Sequence, residues 1–124
     1  MTSEVELDKH MAPPAFAKPI AGLDAKEGSL AHFEVVVAGQ PLPQVTWFRE
    51  GHQIVPSKDF QVRKEGNKHQ LIIQKVMKED AGIFTCRATN PAGAAECSGA
   101  LFVERMYPYN FFALVRVAFP LIVL

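Results

Sequence analysis

The chain has 124 residues, 48% of them hydrophobic, and 13 Lys+Arg balance 13 Asp+Glu for a formal net charge of zero. That length suits one domain of ordinary size with short extras, and the charge balance leaves no basic excess to hold a phosphate backbone, so nucleic acid is not an expected partner. Two cysteines are too few for a disulfide-built secreted scaffold.

Residues 1–12 contain Glu4, Glu6, Asp8 and Lys9 and no apolar stretch. They read as a disordered polar leader and not as a secretory signal. Pro13-Pro14 opens an extended piece from Ala15 to Ile20, interrupted by Pro19, and prolines of this kind belong on an edge strand. Gly22 to Gly28 reads as a turn-rich passage. Ala31, Phe33, Val35 and Val37 then alternate with His32, Glu34 and Val36, the period-two pattern of a strand with one buried side. Gly39 to Pro43 breaks it, Val45 and Trp47 point inward from the next strand, and Glu50-Gly51 turns the chain. Ile54-Val55 and Phe60 to Arg63 are short strands, followed by a hairpin turn at Glu65 to Lys68. Leu71, Ile73 and Val76 supply the inner face of the strand after it. Lys78 to Gly82 forms a corner. Phe84, Cys86 and Ala88 face inward beyond it, Asn90 to Gly93 closes a tight hairpin, and Ala94 to Val103 returns. No helical period appears, and the pattern is that of an all-β antiparallel sandwich.

The elements Glu27-Gly28-Ser29, Phe33, Gly39-Gln40-Pro41-Leu42-Pro43, Trp47, Asp80-Ala81-Gly82-Ile83-Phe84-Thr85-Cys86 and Asn90-Pro91-Ala92-Gly93 resemble the intermediate-set (I-set) immunoglobulin domains. The resemblance is strongest to those of muscle cytoskeletal proteins of the titin, palladin–myopalladin and obscurin type. It implies an immunoglobulin-like sandwich over residues 13–104, with a core built on Phe33, Val35, Trp47, Leu71, Phe84 and Cys86. It also implies that Asp80 pairs with a basic residue, for which Arg63 is the candidate. Two departures stand out. Val35 occupies the place of the first cysteine of the usual inter-sheet disulfide, a bridge worth roughly 2–5 kcal/mol, so this domain has to close by packing. Phe84 replaces the corner tyrosine, whose lost hydroxyl hydrogen bond costs on the order of 1 kcal/mol.

Centring the last hairpin between Pro91 and Ala92 pairs Thr89 with Ala94, Ala88 with Ala95, Arg87 with Glu96 and Cys86 with Cys97. Directly opposed residues have Cβ atoms roughly 4.5–5.5 Å apart, longer than the ~3.8 Å of a relaxed disulfide. Two readings follow: a pair of reduced thiols serving as small hydrophobes, and a redox-sensitive pair, Cys86 and Cys97. The histidines His10, His32, His52 and His69 read as surface residues. Glu79 and Asp80 read as corner residues, not as an acid/base dyad. No phosphate loop, nucleophile elbow or metal-ligand series is present, so no catalytic, cofactor or metal residues are expected and the chain does not read as an enzyme. The charges Arg49, Glu50, Lys58, Asp59, Arg63, Lys64, Glu65 and Lys68 read as a solvated face, with an electrostatic docking patch as the alternative.

Residues 105–124 form an apolar C-terminal segment outside the sandwich, interrupted by Pro108, Arg116 and Pro120. An atypical terminus of a longer chain, a tail anchor, and a segment packing on the domain or a partner are the three readings; a charge at mid-span costs roughly 2.5–3.5 kcal/mol on insertion scales and weighs against the anchor. By resemblance, the function is that of a structural and protein-binding module in a cytoskeletal or sarcomeric chain, located in the cytoplasm and flanked by neighbouring immunoglobulin-like domains. The alternative is a cell-surface adhesion or receptor domain with residues 105–124 as its membrane segment. The missing bridge cysteine and the absence of N-glycosylation sequons argue against that alternative.

Overall fold

A computed structural model describes residues 10–105. Nine strands form two sheets: β1 (Ala12–Lys18), β2 (Leu23–Lys26), β3 (Ala31–Gln40), β4 (Gln44–Arg49), β5 (His52–Gln53), β6 (Phe60–Glu65), β7 (Lys68–Ile73), β8 (Gly82–Asn90) and β9 (Gly93–Glu104). A single 3₁₀ turn, Lys78–Asp80, precedes β8. One sheet has the order β1-β3-β7-β6, the other β2-β9-β8-β4-β5.

The two-residue periodicity of the sequence decides which side of each strand meets the other sheet. Ala31, Phe33, Val35 and Val37 of β3, Leu71 and Ile73 of β7, Trp47 of β4, and Phe84, Cys86 and Ala88 of β8 are buried together with Val76 and Leu101. Phe33 and Phe84 meet at the centre, ring centroids 4.9 Å apart and planes tilted by 32°. Val35 and Cys86 are both fully buried in this core, and neither cysteine of the chain is bridged.

Besides the short strand expected at Ile54-Val55, which forms instead at His52–Gln53, two features differ from the sequence reading. The passage after Gly22 holds a strand: β2 pairs in parallel with β9, Leu23 opposite Leu101 through Lys26 opposite Glu104. The N-terminal segment therefore serves both sheets, running antiparallel to β3 as β1 and crossing at Pro19–Gly22 to the other sheet. Ile20, buried at the crossing, secures it. The second difference is His69, which is 4% exposed. It is in phase with Leu71 and Ile73 along β7 and so shares their inward direction, where a surface histidine was expected.

Candidate functional site

No group of three or more His, Cys, Asp or Glu among the described residues is placed to hold a metal ion. Glu79 and Asp80 do not form a dyad. The Asp80 Oδ2 accepts a hydrogen bond from the Met77 N–H at 2.8 Å, capping the 3₁₀ turn. The expected pairing of Asp80 with Arg63 does not form; a different basic residue braces this corner, the Arg49 guanidinium donating to the Glu79 carbonyl.

The thiols lie on β8 and β9. Asn90 opposite Gly93 closes the turn, and the register runs Ala88–Ala95, Arg87–Glu96, Cys86–Cys97. Both cysteines are free, Cys86 buried and Cys97 half-buried. The Cys97 Sγ accepts a hydrogen bond from the Ile20 N–H at 3.3 Å, which ties the β1–β2 crossing to β9. Gly99, two residues on, lets that crossing approach, since a Cβ there would lie 2.8 Å from Ile20 Cγ2. Burial, and then the neighbouring Cys97, push the Cys86 thiol up to about 12; burial also raises Cys97. The thiolate is the reactive form of cysteine, so both groups are held in their unreactive form at neutral pH.

The strand edges are the remaining candidates. β1 and β6 border one sheet, β2 and β5 the other. The last strand is open at its edge only in part, because β2 covers it from Leu101 to Glu104. β6 offers an edge bearing Arg63, Lys64 and Glu65, with Val62 38% exposed beside them. The outer face of the same sheet carries a polar network. The Lys18 Nζ donates to Glu34 Oε2 at 2.9 Å and the Gln70 Nε2 to Glu34 Oε1 at 3.2 Å. These bonds, Lys18 first, draw the Glu34 carboxyl below its ordinary range.

The charges read together as one face are in fact divided. Arg49 and Glu50 serve the fold: the Glu50 Oε2 accepts from the Ile83 N–H at 2.6 Å while the Glu50 N–H donates to the Ile83 carbonyl at 2.9 Å. Lys64 pairs with His69 across β6 and β7, so its side chain is on the inward side at the sheet's edge, while Arg63 and Glu65 alternate to the outer side. An open depression lined by Arg49, Glu50, His52, Gln53, Ile54, Val55 and Phe60 lies along β5. Two of its polar groups are the ones already committed to Glu79 and Ile83.

Asn90 carries a role that turn propensity did not disclose. Its Nδ2 donates to the Ala12 and Pro41 carbonyls at 2.8 and 2.9 Å, and its Oδ1 accepts from the Ala92 N–H at 2.9 Å. One amide thus joins β1, the β3–β4 loop and the β8–β9 turn.

With this geometry in place, the comparisons with known proteins decide the family. The immunoglobulin I-set domain profile matches residues 14–103. The chain belongs to the immunoglobulin I-set family. Telokin of Meleagris gallopavo is 39% identical over 105 residues, covering 83% of this chain and 68% of telokin. Palladin of Mus musculus is 38% identical over 92 residues, 73% of this chain but only 6% of palladin, so the chain spans a small part of that relative. The titin Z1Z2 domains solved in complex with telethonin superpose with a TM-score of 0.76 at 34% identity, over 78% of this chain and 49% of that one. This I-set domain is similar to immunoglobulin domains that large multi-domain proteins such as palladin and titin carry. No helix among its described residues is long and apolar enough to cross a membrane; the segment on which the membrane alternative rested lies outside them, as does most of the expected leader.

Proposed function

We propose that residues 13–104 are one bead of a cytoplasmic cytoskeletal or sarcomeric chain, non-catalytic, transmitting load between its ends and docking proteins along its open strand edges. The observation that carries the load-bearing part is the parallel pairing of β2 with β9. The chain enters at one end of the sandwich and leaves at the other, so tension on both termini slides these two strands past each other and strains their hydrogen bonds together. The Glu27 N–H donates to the Glu104 carbonyl at 2.8 Å, extending the seam past β2 itself. Protein docking is supported by the open edges of β1 and β6, which present unpaired backbone groups of the kind a partner strand can take up. Relatives such as palladin and the titin–telethonin complex support a cytoskeletal setting and protein partners.

Single-molecule stretching tests the load-bearing claim. Pulled through positions 10 and 105, the domain should resist clearly higher force than when pulled through positions 26 and 104, where the seam peels open one pair at a time. Equal forces in the two geometries would sink it. Expressed in muscle cells, the full chain should partition with the detergent-insoluble cytoskeleton; secretion or recovery in membranes would overturn the location.

The pair Cys86 and Cys97 is read here as two reduced thiols packed as small hydrophobes, which burial keeps in the thiol form, with a redox-sensitive pair as the second reading because the two face each other across β8 and β9. Mild oxidation followed by mass spectrometry of the folded protein should find no Cys86–Cys97 crosslink, and a crosslink would favour the redox-sensitive pair.

A further inference from the structure

Seven large hydrophobic side chains are exposed among the described residues: Leu30, Leu42, Val55, Val62, Met77, Ile83 and Phe102. Four of them, Leu30 (55% exposed), Met77 (44%), Ile83 (46%) and Phe102 (63%), occupy the end of the sandwich where β9 finishes. Ile83 and Phe102 lie on the outer face of their sheet, because their neighbours Phe84 and Leu101 are buried inside it. Ile83 is opposite Ala100 and Gly82 opposite Leu101, which sets Phe102 diagonal to Ile83. Leu30 and Met77 sit on the two loops that close the same end. The Gly28 N–H donates to the Val76 carbonyl at 2.7 Å and the Val76 N–H to the Ser29 carbonyl at 2.8 Å. The Glu27–Glu104 bond joins these loops to the last residues of β9.

An apolar collar around the point where the chain leaves a domain calls for something to cover it. The next stretch of this chain, residues 106–124, has one charged side chain, Arg116, among Phe, Leu, Val and Ile residues. It begins four residues after Phe102, and at about 3.3 Å per residue its extended reach is roughly 60 Å, ample for both halves of the collar. We propose that residues 106–124 dock in cis on the collar formed by Leu30, Met77, Ile83 and Phe102. This pairing removes two apolar surfaces from water at once, at the low entropic cost of an intramolecular contact. It does not depend on the load-bearing role.

The test uses the full chain with the photo-crosslinking residue p-benzoylphenylalanine in place of Phe102. An equal mixture of ¹⁴N- and ¹⁵N-labelled protein is irradiated with and without phosphatidylcholine vesicles, and buried Trp47 fluorescence verifies the fold. The expected product is a crosslink to residues 106–124 within one isotopic species, unchanged by dilution or by vesicles. Adding Ile83→Asp should lower its yield roughly tenfold or more, the cost of losing one buried aliphatic contact; an unchanged yield counts against the collar. Crosslinks between isotopic species would instead make the collar an interface between copies. Capture by vesicle lipid would make the segment an anchor, and reaction with solvent alone would leave the collar uncovered. Each of these three outcomes overturns the proposal.

Discussion

The two ends of the sandwich are finished in opposite ways. At the end where the chain enters, the side chain of Asn90 gathers three backbone segments with three hydrogen bonds. At the end where it leaves, closure is spread over backbone bonds of Glu27, Gly28, Ser29, Val76 and Glu104 and side-chain bonds from Arg49, Glu50 and Asp80, and four large apolar side chains remain in contact with water. The first end concentrates its stability in one residue. The second spreads it over several bonds and leaves its side chains free to meet whatever follows in the chain.

The contrast can be broken most forcefully at Asn90. Asn90→Asp turns a donor into a carboxylate facing two carbonyl oxygens, and should cost about 3–4 kcal/mol in urea unfolding; Asn90→Ala, which only deletes the bonds, should cost about 2–3 kcal/mol. A loss below roughly 1 kcal/mol for both would show that the entry end does not depend on this residue.

At the exit end the largest single effect belongs to Gly82. Its φ of 147° lies in a region that side chains rarely adopt, and a Cβ there would lie 2.5 Å from Glu50 Oε2. Gly82→Ala should therefore cost about 1–3 kcal/mol and disturb the Glu50–Ile83 bonds, which the amide shift of Ile83 would report. Glu50→Gln keeps an acceptor and should lose less, about 0.5–1.5 kcal/mol.

His69 makes the entry end sensitive to pH. It lies toward the entry end, with Val35 opposite on β3 and Lys64 opposite on β6, and its Nε2 is buried without a partner. Burial, and then the Lys64 ammonium, hold its pKa below the ordinary 6.5. The unfolded chain thus takes up this proton first. Stability contributed by neutral His69 is complete above pH 6.5 and falls as the pH drops from there toward the depressed folded value. His69→Phe should flatten that slope in unfolding measured from pH 7.5 to 5, and an unaltered slope would assign the acid sensitivity to other groups. The smallest effect is expected on the outer face: Lys18→Ala, removing an exposed partner of Glu34, should leave the urea unfolding midpoint almost unchanged.

The β8–β9 register was legible in the sequence because a tight turn at Asn90 to Gly93 fixes every pair after it, Cys86–Cys97 included. His69 was legible in principle, since it keeps step with Leu71 and Ile73, but a polar residue at the start of an apolar run reads as its boundary. β2 was hidden because its four residues give too short a period to recognise, and its partner β9 lies far along the chain. The Asp80–Arg63 pair does not form; Asp80 is held instead by a backbone donor three residues away, at Met77.

Sequence alone determined which of the longer strands have an oily side, where the β3–β4 and β8–β9 turns fall, and that Trp47, Phe33 and Phe84 face inward. Those are local matters of period, turn chemistry and side-chain type. Tertiary structure alone decided that β2 runs beside β9, that the Asn90 side chain reaches the distant Ala12 and Pro41 carbonyls, and that four apolar side chains lie at the exit of the chain. Each of these depends on residues distant in sequence arriving at one end of the sandwich, and no local pattern records that arrival.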